Sequence, residues 1–440
     1  MLAFAFLALA QAEGPAQEKG EALLPPEPVP FLRAIHGTLG MRYRYRHVDD
    51  QYDSDLYEYL NVGIGDPEKD LLSASASARF AQDLDGDRRQ DGYNAFDSLD
   101  DTYHHAATTR LYTAYVDVNR PLPGVRLRGG RQVLEEFPEM LPIDGGLLRL
   151  DLFEAVDVGT FAGVQVNLFE SSPEDDLAYG GWIGWRPWAR GRLRVDYLHL
   201  DEENPFGTFD DDQVGFAFEQ GLGPFFFLAR HTILEDLPRE TRAKLSGTFQ
   251  EIGLLVDLQA TYLYEALSEL SYPIDPFTAV LFELEPYYLL AGRVSQAIGP
   301  HLAVDLSLAD RSIAHEGEEG PYNHEFTRWT VAPRLDGWPW GPLSISGSFD
   351  RWDSTGDDFW TAGGDVAVRI DPAVQLGIGS AYALYVIDAF TGEEKERVRT
   401  VYASLRWKVN PQTALDARFT VEDNEFGDFR LLDVGVRHVF

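Results

Sequence analysis

Residues 301–311 read HLAVDLSLADR. In a β-strand successive side chains point to opposite faces. Leu302, Val304, Leu306 and Leu308 then share one face, and Ala303, Asp305, Ser307 and Arg311 share the other. The first face needs apolar surroundings; the second needs water or charged partners. The same period returns along the chain. PLSISGSFD (342–350) sets Ser344, Ser346, Ser348 and Asp350 against Leu343, Ile345 and Phe349. TALDARFTVE (413–422) sets Asp416, Arg418, Thr420 and Glu422 against Leu415, Ala417, Phe419 and Val421. GMRYRYRHVDD (40–50) puts Arg42, Arg44 and Arg46 on one face and Tyr43 and Tyr45 on the other.

From residue 36 to 440 this alternation recurs in segments of about ten residues. We count 22 such segments, an even number, as a barrel with both termini at one end requires. The signal is weakest at 55–65, 146–153 and 239–250, and without some of these the count falls to 18 or 20. Tight Pro/Gly connections, among them RPLPG (120–124), RPWARG (186–191), GLGP (221–224) and GWPWGP (337–342), alternate with longer acidic ones such as 83–101 and 314–325. Short turns at one end and long loops at the other are the layout of a transmembrane barrel. The expected fold is all-β: one antiparallel outer-membrane barrel of 18–22 strands, without a second domain or helical plug. A soluble sandwich, propeller or solenoid shares the period, because alternation alone does not distinguish lipid from a packed core. The polar face argues against it, being rich in Arg, Asp, Ser and Gln. The apolar face carries aromatics near strand ends, with Tyr43, Tyr112, Tyr179, Trp185, Tyr197, Tyr262, Tyr288, Trp329 and Trp407 as girdle candidates.

Composition narrows the function. The 440 residues carry a formal charge of −35, which leaves no basic footprint for nucleic acid. Only five residues are Lys, so fixed charge falls to Arg, which pairs with carboxylates in planar, two-pronged fashion. Zero Cys removes disulfides, thiolate metal sites and Cys nucleophiles. The start, MLAFAFLALAQA, has an apolar run closing on Ala10-Gln11-Ala12, an A-x-A cleavage pattern without a basic n-region. The expected organisation is a signal peptide over 1–12, a Pro/Glu-rich periplasmic linker over 13–35 and a barrel over 36–440.

Two stretches resemble known outer-membrane families. The end, RLLDVGVRHVF, is similar to the C-terminal signature strand of bacterial outer-membrane barrels, closing on Phe440. That resemblance implies recognition by the barrel assembly machinery. VRLRGGRQVLEE (125–136), followed by IDGGLLRLDLFEAVDVGTFAGVQVNLFESS (143–172), resembles the alginate-export type of porin over about fifty residues. It implies a bacterial outer-membrane location, lipid and lipopolysaccharide as surroundings, and an anionic polysaccharide as cargo.

The face opposite the lipid side is the candidate site. It collects Arg42, Arg44, Arg46, Arg126, Arg128, Arg192, Arg194, Arg328, Arg334 and Arg418, with Asp305 and Asp416 among its acids. Rings of Arg in a pore favour anions. The expected function is a channel for small solutes or an anionic (poly)saccharide. The alternative is a structural or adhesive barrel, or the sheath of a larger complex, with these charges bracing a blocked lumen. No catalytic constellation stands out: there is no G-x-S-x-G elbow, and His104-His105 has no H-E-x-x-H context. Asp83, Asp85 and Asp87 resemble half of an acidic Ca²⁺ loop, but lack the spaced ligands and final Glu of a full one. They read as a surface loop holding a divalent ion loosely; no other cofactor is expected.

Overall fold

A computed structural model describes residues 35–48, 51–85, 107–135, 137, 141–153, 155–166, 177–204, 207–264, 286–314, 325–337, 341–354, 359–387, 394–424 and 427–440. The proposed signal peptide, all but the last residue of the linker, Asp87 and the His104-His105 pair lie outside these residues.

The chain forms 22 strands. They are β1 (Ile35–Val48), β2 (Gln51–Ile64), β3 (Leu72–Asp83), β4 (Ala107–Asn119), β5 (Val125–Leu134), β6 (Leu141–Leu152), β7 (Val156–Gln165) and β8 (Leu177–Trp185). Next come β9 (Gly191–Asn204), β10 (Gly207–Leu222), β11 (Phe225–Leu234), β12 (Leu237–Phe249), β13 (Leu254–Leu263), β14 (Tyr287–Ile298) and β15 (Leu302–Ile313). The last are β16 (Phe326–Asp336), β17 (Leu343–Ser354), β18 (Phe359–Arg369), β19 (Val374–Ile387), β20 (Glu394–Lys408), β21 (Thr413–Asn424) and β22 (Gly427–Val439). Each pairs antiparallel with its neighbours in sequence, and β22 returns to pair with β1. Beyond the last strand residue the seam is tied by Gly37 N–H to the Phe440 carbonyl at 2.9 Å and Phe440 N–H to the Gly37 carbonyl at 3.1 Å. Closure matters because an open sheet edge in hydrocarbon leaves unsatisfied backbone groups, each costing several kcal/mol.

All 22 expected segments are strands, including the three with weak signals. All three start earlier than the pattern suggests: β2 at Gln51, β6 at Leu141 and β12 at Leu237. The Pro/Gly connections do gather at one end, with both termini of the barrel. At Gly124 the backbone turns with φ +74°, and a Cβ would stand 2.5 Å from the Asp151 carbonyl, so only glycine fits. The other end is mixed. It has the long connections 84–106 and 264–286, but also two-residue ones at 49–50, 205–206, 235–236 and 425–426.

Register identifies inside and outside. Residues directly opposed in neighbouring strands share a face. From Arg42 that face passes to Tyr57, Ala81, Asp117, Arg128, Leu147, Phe161, Ala178 and Leu198 and onward around the barrel, returning through Arg418, Asp433 and Arg44. Side chains on this face include the most buried of the described residues, Tyr57, Asp55, Ile143, Leu198 and Asp196 among them. The opposite face holds the exposed apolar side chains: Leu60, Val116, Leu127, Ile183, Val195, Leu258, Leu290, Leu306, Leu308, Ile378 and Val401. The first face is therefore the concave one and the second the lipid belt. Tyr262 and Tyr288 stack on the outer face at 4.2 Å, and Tyr179 and Tyr197 lie 6.4 Å apart there. Trp185 and Trp407 occupy the outer face near the turn end. Tyr112 has no ladder partner, because β3 and β4 slip by one residue there, so the period does not place it.

That slip explains part of the GRQ and DGG stretches. Beside the slip, the Leu111 carbonyl accepts a hydrogen bond from Arg131 Nη1 at 3.1 Å. Arg131 is held in turn by Asp144 through two contacts of 2.8 and 2.6 Å. Gly130, at φ +122°, bends β5 beside it.

Apolar residues also face inward, which alternation alone misassigns. Leu134, Leu141, Ile143, Leu147, Phe161, Ala178, Trp182, Leu198 and Leu200 form a buried cluster on the inner surface of β5–β9. Phe137, from the β5–β6 connection, meets Phe161 and Trp182 edge-on at 5.2 and 6.3 Å. This is the packed core, and it lies inside the barrel rather than against lipid.

Candidate functional site

The twelve basic and acidic residues named for the face opposite the lipid side all fall on the inner face by register, but they sit in two environments. The first is the packed side. On β1 and β2, Arg46 Nη2 meets Asp55 Oδ2 at 2.8 Å and Arg46 Nε donates to Asp53 at 2.6 Å, while Tyr57 OH donates to Asp55 at 2.9 Å. The Arg46 and Asp55 side chains keep 5% and 2% of their surface. Arg128 grips Asp117 with two donors, at 2.8 and 3.1 Å, and lies 3.9 Å over the Tyr115 ring. Arg192 and Arg186 hold opposite oxygens of Asp157, at 2.7 and 3.2 Å. Arg230 donates to Asp196 at 2.6 Å, with Arg194 on the other oxygen at 3.6 Å. Arg149 and Arg194 both approach the Trp182 ring, at 5.4 and 5.0 Å. Arg126 stands directly opposite Arg149 in the ladder.

The second environment is the inner wall of β14–β22, continuing to Arg42 and Arg44 of β1. Here the pairs are open. Arg293 meets Asp305 at 2.7 Å, Arg334 meets Asp336 at 2.6 Å and Arg406 meets Asp416 at 3.0 Å; the three arginines keep 59%, 65% and 66% of their side-chain surface. Arg328 holds Asp350 with two bonds of 2.9 Å beneath the Trp352 ring. Arg42 reaches both oxygens of Asp433, at 2.6 and 2.7 Å, and Arg44 stands 3.9 Å from the same carboxylate. Between them the wall is floored by Ser346, Ser348, Gly363, Gly377 and Ala381, and the trough holds cavities of about 350, 580 and 620 Å³.

Four exposed cations on this wall, Arg369, Lys408, Arg418 and Arg437, have no carboxylate within ion-pair distance among the described residues. Three of them lie near the turn end. The loop end is the reverse. By sequence its connections carry 31 of the chain's 72 acidic residues against two arginines, Arg88 and Arg89.

Sequence reasoning missed the inward cluster, Phe137, and the partners Asp53, Asp336 and Arg230. The clue to the cluster was the run of inward glycines 145, 159, 163 and 180, which make room for large neighbours such as Trp182. Of the acidic loop, Asp83 accepts from the Asp85 N–H at 2.9 Å and Asp85 accepts from the Ser54 N–H at 2.8 Å. No group of three or more potential ligands is placed to hold a metal among the described residues.

No family model matches the chain, and no curated protein does. Solved structures match over nearly its whole length. The P pilus usher (PapC) translocation pore is 10% identical, covering 92% of this chain and 99% of its own, with a TM-score of 0.52. A BenF-like porin from Pseudomonas fluorescens Pf-5 is 10% identical over 92% and 98%, with a TM-score of 0.47. Pseudomonas aeruginosa OpdK, solved with vanillate, is 13% identical over 93% and 99%, with a TM-score of 0.45. At these identities the likeness is one of fold. The similarity to alginate-export porins rests on the two sequence stretches alone. The closed 22-strand barrel, its lipid belt and its likeness to the usher pore make this chain a β-barrel of the bacterial outer membrane.

Proposed function

We propose that the barrel is a passive channel whose water path follows the β14–β22 wall, and that the packed side, from Arg46 and Asp55 on β1 and β2 round to β13, braces it. One observation carries this reading: Arg293, Arg334 and Arg406 keep most of their surface while paired, whereas Arg46 and Asp55 are sealed. An ion pair left half in water costs little to hold; one sealed in the wall is part of the scaffold. Small solutes fit the cavities of the open wall. The four unpaired cations bias that wall toward anions.

The acidic loop end opposes this bias, but its charges are exposed and screened within a Debye length of about 8 Å at physiological salt. The loop charges therefore weigh little on ions that have entered the barrel, and a modest anion preference is expected at physiological salt. Planar-bilayer recording of the refolded protein tests the reading. Conducting steps with a reversal potential on the anion side at physiological salt support it; absence of steps overturns it.

A polyuronate cargo is the finer expectation, which the alginate-export resemblance supports. Partial block of the current by oligouronates is its test. A structural or complex-forming barrel with a blocked lumen is the second reading, favoured by the Phe137–Trp182 cluster, which fills one side of the interior. The signal peptide, the periplasmic linker and recognition of the strand ending in Phe440 by the assembly machinery belong to the same proposal.

A further inference from the structure

Arg131 and Asp144 form an ion pair on the outside of the barrel. They oppose each other in the β5–β6 ladder, and their rung runs on to Ala114 and Val164, on the face away from Arg128 and Leu147. A charged group on a lipid face is destabilising, by more the deeper it lies. Arg131 Nε and Nη2 meet the two Asp144 oxygens at 2.8 and 2.6 Å, yet the side chains keep 25% and 39% of their surface. Donors of the guanidinium and lone pairs of the carboxylate are left over for a further partner. One outward rung nearer the turns stand Gly129 and Gly146, directly opposed and exposed. Neither takes a left-handed φ; a Cβ on Gly129 would meet nothing within 4 Å, and one on Gly146 only the Arg128 carbonyl, at 3.9 Å. Among the described residues nothing asks for glycine at either place. Glycine inside a strand weakens it, and the reason left for it here is the close approach of another backbone.

Beside the glycines, β7–β9 carry a groove of about 700 Å³ on the same face, floored by Thr160, Ala162 and Gly181 and walled by Tyr179, Ile183 and Val195. On the other flank Val116 and Leu127 stand out, 50% and 41% exposed. Barrels are convex, so two of them meet along few strands, and bare backbone lets the walls come closer. In a membrane such walls associate through close packing and hydrogen bonds, since lipid already solvates apolar surface. The charges choose the occupant. A positive and a negative group side by side match neither hydrocarbon nor a headgroup of one sign. Turned by a two-fold axis along the membrane normal, they match themselves. Arg131 of one copy then meets Asp144 of the other, and the ridge of Val116 and Leu127 meets the groove. We infer that this face, centred on Gly129, Gly146 and the Arg131–Asp144 pair, is an interface with a second copy of the chain. The wall behind it is filled from inside by Ile143, Leu147 and Phe161, so the open β14–β22 wall points away from the contact.

Pairing of copies is independent of conduction and is read as mass. Native mass spectrometry of the refolded barrel in detergent micelles is expected to show a two-copy species. Arg131→Asp and Asp144→Arg each put like charges across the axis, and each alone is expected to give single copies. Refolded separately and then mixed, the two variants are expected to recover a two-copy species holding one of each, because the acidic site of one meets the basic site of the other. Mixing restores no contact within either chain, so a pair that served only its own barrel would not respond. Gly146→Trp, whose side chain points into open space, is expected to give single copies with the heat-modifiable gel shift retained. It decides the matter if either charge variant loses that shift. Single copies of the unmodified chain at every concentration overturn the interface. So does a two-copy species in Gly146→Trp or in either charge variant alone, and so does a mixture of folded charge variants that stays single. A single copy that retains a glycolipid makes lipid the occupant and overturns it as well; a three-copy species overturns the two-fold arrangement.

Discussion

The indole of Trp182 lies across the backbone of Gly159, its direct neighbour in the β7–β8 ladder. A Cβ on that glycine would fall inside the ring. From this position the ring lies within 5.4 Å of Arg149 and 5.0 Å of Arg194, and meets Phe137 edge-on. Gly159→Ala is expected to push the indole into the lumen and destabilise the barrel by about 1–3 kcal/mol, the usual cost of overpacking. Urea unfolding in lipid, followed by tryptophan fluorescence, reads this. An unchanged midpoint would mean that the indole relocates freely.

Phe137 reaches the inner cluster from a connection rather than a strand. Its two edge-on contacts, each worth about 0.5–1.5 kcal/mol beyond burial, anchor residue 137 on the packed side. Phe137→Ser is expected to release it and raise single-channel conductance while the gel shift remains. A conductance equal to that of the unmodified protein would show that the connection does not narrow the path.

The strand count and both faces of the wall were legible because the lipid belt forces period two on every strand, as Leu302 to Leu308 show. Arg42, Arg334 and Arg418 fell on the right face for the same reason. What period two does not carry is whether an inward position meets water or another side chain. Leu147 and Phe161 look like lipid-facing residues out of step, yet they are opposed to Arg128 and to each other on the inner wall. Phe161 packs edge-on against Phe137, which belongs to no strand. The β6 start was missed for a related reason: LPIDGG places Pro142 and two glycines where a strand is not expected, and Arg131 bonding to Asp144 anchors that stretch from outside. Nor does the sequence separate Arg46 from Arg334, since pairing and exposure are set by neighbours many strands apart.

The β2–β3 turn gives a pH-dependent feature outside the membrane. Asp66 accepts from Lys69 Nζ at 2.6 Å and from the Glu68 N–H at 2.9 Å, and these bonds hold its carboxyl below the ordinary 3.8. A depressed carboxyl contributes to turn order at neutral pH and loses that contribution as pH falls through its lowered value. The Glu68 amide resonance is expected to stay put through the range where free aspartates titrate and to move only at more acid pH. Asp66→Asn should remove the transition; a midpoint at the ordinary value would show that the bonds do not form.

The sharpest contrast is between two arginines of the same inner face. Arg46→Ala strands Asp55 in a sealed site, with Asp53 beside it; among the described residues Tyr57 still donates to Asp55 but not to Asp53. Breaking a buried pair from one side costs about 3–5 kcal/mol. Arg334→Ala removes one arm of an exposed pair, for which about 0–1 kcal/mol is expected. Current should respond in the opposite order. Arg334→Ala should shift the reversal potential toward cations with stability unchanged. Arg46→Ala should lower the unfolding midpoint strongly, while any barrel that still folds keeps the selectivity of the unmodified protein. If both substitutions moved stability and selectivity together, the division into a brace and a water path would fail, because one wall would then be doing both jobs throughout.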